Sequence, residues 1–276
     1  MSAIRSILLH VDASPHSESR LVLALSLAAR LDATITALYG ADSSDAEGRS
    51  FSYSAAAAVL RAEQEEIRRE RVREALGRHL PVDGPTIRWA DLRGPSPSEG
   101  FVKEAAYADL LILGQSDPES CGAGGAPAGF VETVVLHGGR PALVVPKRGA
   151  GSGHARRVLI AWNGSAQAAR AVTGSLPLLG LADHVEVISW ARNPLAAPSG
   201  SIDIGEFLAR HGIEARVRRL PPTNDVGAEL ARELSATSAD LLVMGCYGHT
   251  RLHERVLGGA SRAVFEAMSV STLMAH

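Results

Sequence analysis

The sequence predicts an α/β protein of two tandem domains, each with a parallel sheet covered by helices on both faces. Three observations predict this class. Short apolar runs alternate with segments of helical period, the whole pattern occurs twice, and a glycine-rich stretch separates the two copies. Alternating strands and helices are typical of parallel sheets joined by right-handed crossovers. The length of 276 residues fits two domains of about 140 residues each.

The duplication can be followed strand by strand. Four segments match in the same order, namely 5–14 with 156–165, 34–39 with 185–190, 108–114 with 239–245, and 141–146 with 271–275. Four ordered matches indicate duplication of a whole domain rather than a short structural repeat. The glycine-rich stretch between the copies has no apolar periodicity and is typical of a linker. We therefore predict a first domain over 1–147, a linker over 148–155 and a second domain over 156–276.

Periodicity places the elements of each copy. In the first copy, strands are expected near 5–11, 33–39, 85–90, 109–113 and 142–146, and helices near 15–31, 54–79, 95–107 and 128–138. In the second copy, strands are expected near 157–162, 184–190, 214–219, 240–244 and 271–275. Uninterrupted apolar runs such as 110–113 suit strands buried on both sides. Ser14 followed by Pro15 predicts the start of the first helix, with proline at the first helical position.

The extra length of the first copy lies mostly in 61–76, where acidic and basic residues are interspersed. A loose apolar stripe predicts a solvated helix with one face on the sheet. The alternative is a basic surface that binds a partner.

Bulk composition argues against several function classes. A net charge of -2 and a pI near 6.6 lack the basic field of nucleic-acid binders, so no nucleic acid is expected as partner. No apolar run of about 18 residues and no signal-like start occur, which predicts no membrane partner and a cytoplasmic location. Cys121 and Cys246 provide neither a disulfide framework nor metal-site spacing. Neither a P-loop nor a Gly-x-Ser-x-Gly elbow occurs.

One loop of the second copy carries glycines at fixed positions. After an apolar run, Gly245 and Gly248 are followed by nine residues, then by Gly258 and Gly259, and then by Ser261. Glycine permits positive φ and close approach, so successive N–H groups can converge on a phosphate. A helix predicted to begin near Gly259 would add its first-turn donors. A plain βα turn remains an alternative, because such turns are often rich in glycine.

The predicted topology places this loop beside a second turn. In open parallel sheets, ligands bind beyond the carboxyl ends of the strands, where the winding direction reverses. If the first and fourth strands of a domain are neighbours, Asn163 and Ser165 face the glycine loop. The loop is therefore the expected position of a mononucleotide.

These residues resemble the universal stress protein family, over essentially the whole chain as a tandem pair of domains. The signature is Gly-x2-Gly-x9-Gly followed by Ser or Thr, matched from Gly245 to Gly258. The resemblance implies Rossmann-like domains of the adenine nucleotide alpha hydrolase type, each a five-stranded parallel sheet. It also implies binding of ATP, alone or with Mg²⁺. In the family, loop glycines and the hydroxyl hold ribose and phosphates, and an Asp after the first strand recognises adenine. Tandem members pair their two domains, and homodimerisation stays open.

The second copy departs from the family pattern at two positions. Gly259 takes the place of Ser or Thr, with the nearest hydroxyl at Ser261, and Asn163 takes the place of Asp. An amide can still hydrogen-bond a purine edge, and an extra glycine still offers a backbone donor. The predicted nucleotide site consists of Asn163, Gly245, Gly248, Gly258, Gly259 and Ser261.

The first copy departs in the opposite way. Asp12 is present, but in the loop after Gly114 the second glycine is replaced by Asp117, which would repel a phosphate. Asp12 and Gly114 are therefore predicted to be the degenerate equivalents of the second-copy site. We expect no ATP in the first domain.

The expected function is that of a stress-response regulatory module that binds adenine nucleotide, with at most slow ATP hydrolysis. No catalytic residue and no metal ligand are assigned. Two alternatives remain, a nucleotide-free interaction or dimerisation protein and a slow nucleotide hydrolase. Trp162 and Trp190 could stack on adenine, although core packing is favoured. Cys246 is interpreted as a small inert residue, and His10 with Asp12 has no recognised metal-site spacing.

Overall fold

The computed structural model describes residues 3–40, 55–92, 96–117, 124–147, 155–190, 202–246 and 268–276. Contacts divide the chain into two compact units. The first unit is Arg5–Gly138, and the second unit is Met1–Ile4 with Gly139–His276. No helix among the described residues is long and apolar enough to cross a membrane.

The first unit is a parallel α/β structure. Its described elements are β1 (Ser6–Val11), α1 (Ser17–Leu31), β2 (Thr34–Tyr39), α2 (Ala55–Gly77), β3 (Ile87–Asp91), α3 (Pro97–Ala105), β4 (Leu110–Gly114) and α4 (Phe130–His137). The strands lie in the order β3-β2-β1-β4. All three pairings that define this order are parallel, and β4 is buried at every position. Burial along a whole strand requires cover on both faces of the sheet.

The second unit repeats this structure with additional strands. Its described elements are β5 (Ala142–Val145), β6 (Arg157–Ala161), α5 (Ala166–Leu179), β7 (His184–Trp190), α6 (Ile204–Arg210), β8 (Ala215–Leu220), α7 (Val226–Thr237), β9 (Leu241–Gly245) and β10 (Ser271–Ala275). The strands lie in the order β5-β10-β9-β6-β7-β8. The fold class is α/β with mostly parallel strands, and every predicted strand occurs with bounds within two residues of the prediction.

Strand β5 differs from a repeated parallel sheet. It pairs antiparallel with β10, with Leu143 opposite Leu273, and it groups with the second unit. The sequence-based division ends the first domain at 147 and so places this strand with the first domain. The pairing covers an edge of β10 whose N–H and C=O groups would otherwise lack partners.

Helix α1 begins later than predicted. The expected cap at Ser14 with Pro15 as first helical residue is wrong, because the helix begins at Ser17 and its N-cap, His16, makes no side-chain cap bond. The Ser14 hydroxyl bonds to Asp12 rather than to the N–H groups of the first helical turn. Ser14 donates both its N–H and its hydroxyl to the carboxylate of Asp12, and this holds the preceding turn outside the helix.

Helix α2 contacts the sheet at strand ends. The hydroxyl of Tyr39, at the end of β2, donates to Oε1 of Glu65 at 2.7 Å. Arg69 lies 3.4 Å from the carboxylate of Asp91, at the end of β3. The predicted solvated helix with one face on the sheet therefore touches the sheet at the carboxyl ends of its strands.

Candidate functional site

Both units bring together the ends of their first and fourth strands. In the first unit β1 lies between β2 and β4, and Leu9 faces Ile112. In the second unit β6 lies between β7 and β9, and Ala161 faces Met244. The predicted adjacency is confirmed, and the residues that follow these strands share one edge of their sheet.

Asp12, directly after β1, lies in a buried hydrogen-bond network. Its Oδ1 accepts from the N–H of Ser14 at 3.0 Å, from the hydroxyl of Ser14 at 2.6 Å, and from Nη2 of Arg20 at 2.6 Å. The Oγ of Ser17 lies 2.8 Å away. Asp12 and Arg20 are each 3% exposed. A ligand would have to displace Ser14 or Arg20 to reach this oxygen.

The charges of this network are set by burial and pairing. Burial alone raises the pKa of Asp12, but the Arg20 guanidinium, helped by His10 and the serine hydroxyls, holds that pKa well below its ordinary value. Burial lowers the pKa of His10 to about 4, against the raising effect of Asp12. His10 is therefore neutral at pH 7, and its Nε2 donates to the carbonyl of Gly40 at 2.8 Å. The network consists of one ion pair beside a neutral imidazole.

Arg20 also explains the glycine at the end of β4. A Cβ on Gly114 would lie 2.1 Å from Nη1 of Arg20. A methyl group at that distance would push the guanidinium away from Asp12. In the first unit, Gly114 makes room for a buried cation.

Asn163 occupies the matching place in the second unit but is exposed. Its Oδ1 accepts from the N–H of Ser165 at 3.0 Å, across Gly164, whose φ is 73°. Ser165 caps α5, and its Oγ accepts from the N–H of Ala168 at 3.2 Å. Within the part of the chain that the structure describes, the side-chain nitrogen of Asn163 has no hydrogen-bond partner. That nitrogen can donate to a ligand.

Gly245 has a packing role that the sequence does not reveal. A Cβ at this position would lie 2.4 Å from the backbone nitrogen of Ala168 and 2.7 Å from the carbonyl carbon of Gln167. The first turn of α5 therefore lies directly on the end of β9. This close approach requires glycine whether or not a ligand binds.

The other residues of the predicted glycine loop lie outside the described residues, namely Gly248, Gly258, Gly259 and Ser261. The neighbouring Cys246 is 1% exposed, and its Sγ lies 3.3 Å from the carbonyl oxygen of Ala275. Burial raises the pKa of this thiol to about 12. A protonated, buried thiol is a poor nucleophile, which agrees with the interpretation of Cys246 as an inert residue.

A cavity of about 470 Å³ lies between α5, α6 and the strands β7 and β8, and its lining includes Trp162, the residue before Asn163. Trp162, directly after β6, and Ser189 of β7 border it on one side, and Phe207 borders it from α6. Its volume is within the usual range of small-molecule sites. Trp190 is half-buried, and its Nε1 has no hydrogen-bond partner in the described segments.

Sequence reasoning missed Arg20, although a signal was present. Arg20 falls on the same face of α1 as Ala24 and Leu27, both of which are fully buried. A cation on the apolar face of a helix requires a buried partner. The corresponding position of the second copy, about 151 residues later, is the buried Ala171. The pair of Asp12 and Arg20 is therefore replaced by an uncharged pair in the second unit.

The described residues contain no group of three His, Cys, Asp or Glu side chains placed to hold a metal ion. His10 and Asp12 form only a pair, in which Nδ1 of His10 lies 3.9 Å from Oδ2 of Asp12. Both side chains are buried, and Asp12 is paired with Arg20.

Comparison with known proteins gives consistent results. A protein from Synechocystis sp. named Universal stress protein Slr1230 is 25% identical over 168 residues, which is 60% of this chain. The chain spans 57% of that relative's length. A universal stress protein from Archaeoglobus fulgidus is similar in structure, with a TM-score of 0.72 and 16% identity over 97% of this chain and 94% of that one. A structure described as a universal stress protein from Pseudomonas aeruginosa matches with a TM-score of 0.56 and 18% identity, over 98% and 92%.

Because the sequence identity of the two structural matches is low, they establish the fold alone. The family model described as the Universal stress protein family matches residues 3–146, which is more than half of the chain and includes β1 to β5. This stretch contains the copy whose glycine loop departs more from the signature. The protein therefore belongs to the universal stress protein family.

Proposed function

We propose that the protein is a cytoplasmic regulatory module of the stress response that binds one adenine nucleotide, at the carboxyl ends of β6 and β9 in the second unit. The first unit is proposed to bind none at the equivalent place. Control of a partner by the nucleotide-bound state, rather than turnover, is the proposed activity.

One observation carries this proposal. Asn163 is exposed and its side-chain nitrogen has no partner within the described residues, whereas Asp12 is buried and neutralised by Arg20. Removing one charge of a buried pair is costly, because the other charge is left unpaired. The second unit has exchanged both, for Asn163 and Ala171, and so keeps a neutral, accessible turn.

The proposed ligand contacts follow from this geometry. The amide of Asn163 would hydrogen-bond the purine edge, and the cavity beside Trp162 and Ser189 is large enough for a nucleoside. The loop containing Gly248, Gly258, Gly259 and Ser261 would hold ribose and phosphates, with Mg²⁺ accompanying the phosphates. Gly248 and Gly258 are assigned from the sequence signature, whereas Gly259 stands at its Ser or Thr position and Ser261 is the nearest hydroxyl.

A fluorescent ATP analogue tests the proposal by equilibrium titration. Wild type is expected to bind saturably, and Gly248→Asp is expected to bind at least tenfold more weakly, about the loss of one charge-assisted contact. Asn163→Ala is expected to weaken binding, while Asn224→Ala, an exposed loop residue of the same unit, serves as the matched control. Absence of saturable binding, or binding indifferent to Gly248→Asp, would refute the site assignment.

A second candidate function is a nucleotide-free interaction protein. The packing of Gly245 against α5 favours it, because this glycine is required without any ligand. The two functions are separated by native mass spectrometry and by thermal unfolding with and without ATP. A protein that carries no nucleotide, and whose unfolding temperature does not change when ATP is added, supports the second function.

A further inference from the structure

Helix α2 carries large apolar side chains on the side that faces away from the sheet. Leu76 is buried, whereas Leu60 and Ile67 are 58% and 53% exposed. With about 100° of rotation per residue, Ile67 lies opposite Leu76, and Leu60 lies within about 20° of Ile67. We define the outer face of α2 as the exposed side that contains Leu60, Glu63, Ile67, Arg71 and Glu74. The described residues of the first unit leave this face uncovered.

The helix at the same place in the second unit lacks such a face. Helix α6, between β7 and β8, has 7 residues, whereas α2, between β2 and β3, has 23. Both large aliphatic residues of α6, Ile204 and Leu208, are buried. The exposed apolar residues therefore belong to the additional helix length of the first copy. Contacts of α2 with Tyr39 and Asp91 explain its inner face and leave its outer face without a role.

The charges of the outer face have both signs, in an order that complements itself. Glu63 lies four residues before Ile67, and Arg71 lies four residues after it. Neither makes an ion pair or a hydrogen bond through its side chain within the described residues. A face of mixed sign does not fit a partner of uniform charge, such as a nucleic acid or an anionic membrane. It fits a surface that carries the same charges in the reverse order.

A second copy of α2, packed antiparallel, is such a surface. When a two-fold axis passes at Ile67, residues at equal distances before and after Ile67 oppose each other. Glu63 of each copy then lies beside Arg71 of the other, so the attractive pair occurs twice. Parallel packing would instead place Glu63 beside Glu63 and Arg71 beside Arg71, which is repulsive. The order of charges therefore selects the antiparallel arrangement.

The apolar residues of the outer face fit the same arrangement. Ile67 of one copy meets Ile67 of the other on the axis. Leu60 lies seven residues before Ile67 and Glu74 seven residues after it, so Leu60 meets Glu74 of the other copy. The methylene groups of Glu74 and Arg71 can cover Leu60 while their charged ends stay in water. Each exposed apolar side chain on the axis line thus gains cover without burial of a charge.

We infer that the outer face of α2 is a docking surface for a second copy of this chain. The two α2 helices lie antiparallel across a two-fold axis at Ile67 and are joined by Leu60, Ile67 and two pairs of Glu63 with Arg71. One helix face is smaller than a standard protein interface, so the dimer is weak and forms reversibly. The inference concerns the first unit and does not depend on nucleotide in the second.

Sedimentation equilibrium of the full chain without nucleotide tests this inference. Wild type is expected to form a dimer with a Kd of about 1–100 μM, as for a small interface. Ile67→Glu is expected to be monomeric throughout that range, because two carboxylates would face each other on the axis. The matched control is Val82→Glu, which makes the same kind of change at a fully exposed apolar residue of the same unit. The control is expected to dimerise like wild type.

Reversal of the charges tests the antiparallel arrangement. Glu63→Arg and Arg71→Glu are each expected to weaken dimerisation at least tenfold, at a ratio of about ten per 1.4 kcal/mol, because each turns two attractive pairs into two repulsive ones. The double variant Glu63→Arg/Arg71→Glu restores opposite charges and is expected to recover the wild-type Kd within about threefold. Circular dichroism establishes that each variant is folded. A monomeric wild type, a dimer that survives Ile67→Glu, or a double variant no better than the single ones overturns the inference.

Discussion

Replacement of Arg20 by alanine tests how much the first unit depends on its buried ion pair. The change removes the bond between Nη2 and Oδ1 of Asp12 and the bond from Nε to the carbonyl of His10. Loss of one partner of a buried pair typically costs about 3–5 kcal/mol, because the remaining charge is uncompensated. Asp12 retains its two bonds from Ser14, so we expect about 3 kcal/mol.

The loss of stability caused by Arg20→Ala should be larger at neutral pH than at acidic pH. In wild type the pKa of Asp12 is depressed, so its stabilising effect is present at neutral pH and is lost as pH falls below the ordinary value of 3.8. In Arg20→Ala, burial without a cation raises the pKa of Asp12. The variant is therefore expected to be most destabilised at neutral pH and less so near pH 4, where the carboxyl group takes up a proton.

Urea unfolding followed by circular dichroism measures this cost, and hydrogen exchange of β1 and β4 amides localises it. The double variant Asp12→Asn/Arg20→Ala reproduces the uncharged pair of Asn163 and Ala171. It is expected to recover at least half of the loss, about 1.5 kcal/mol, because no charge remains buried. A single-variant cost below about 1 kcal/mol, or a double variant no more stable than the single one, would refute the reasoning.

Two further predictions concern other residues. Because the pKa of His10 is about 4, the unfolded chain takes up a proton at a higher pH than the folded chain does. The free energy of unfolding should therefore fall by up to about 3 kcal/mol as the pH decreases from 6.5 to 4. Urea titrations of His10→Gln should show a flatter dependence of this free energy on pH, and an unchanged dependence contradicts the assignment. Gly245→Ala should destabilise by about 1–3 kcal/mol through overlap with α5. Gly77→Ala, where a Cβ meets no atom within 4 Å, should be nearly neutral in thermal unfolding, and equal effects of both changes count against the packing role of Gly245.

The strands could be predicted because their signal is contained within each segment. Apolar runs such as Leu110–Gly114 are buried along their whole length, so their composition alone marks them. The neighbouring positions of β1 and β4 followed from the repeated βα pattern and the rule for open parallel sheets. These features depend on local composition and general topology.

The features that could not be predicted depend on particular contacts. The start of α1 at Ser17 depends on the bonds from Ser14 to Asp12, which a cap motif does not reveal. The Asp12–Arg20 pair spans eight residues and crosses from a strand end to a helix. The need for glycine at 245 arises from the approach of α5, which is a tertiary contact. The remaining loop positions were predicted from the family signature, and that part of the site stays a prediction.

The pairing of β5 with β10 places this strand in the second compact unit, although the sequence-based division places it in the first domain. The duplicated segment of sequence ends after β5, yet this strand completes the edge of the sheet that contains β10. Expression of 156–276 alone would leave the backbone groups of Ser271–Ala275 open on that side, in a form suited to pairing with another chain. The strand β10 is thus paired with a strand that the sequence-based division assigns to the other domain. A fragment that contains only one of these two strands would expose an unpaired strand edge that is prone to association.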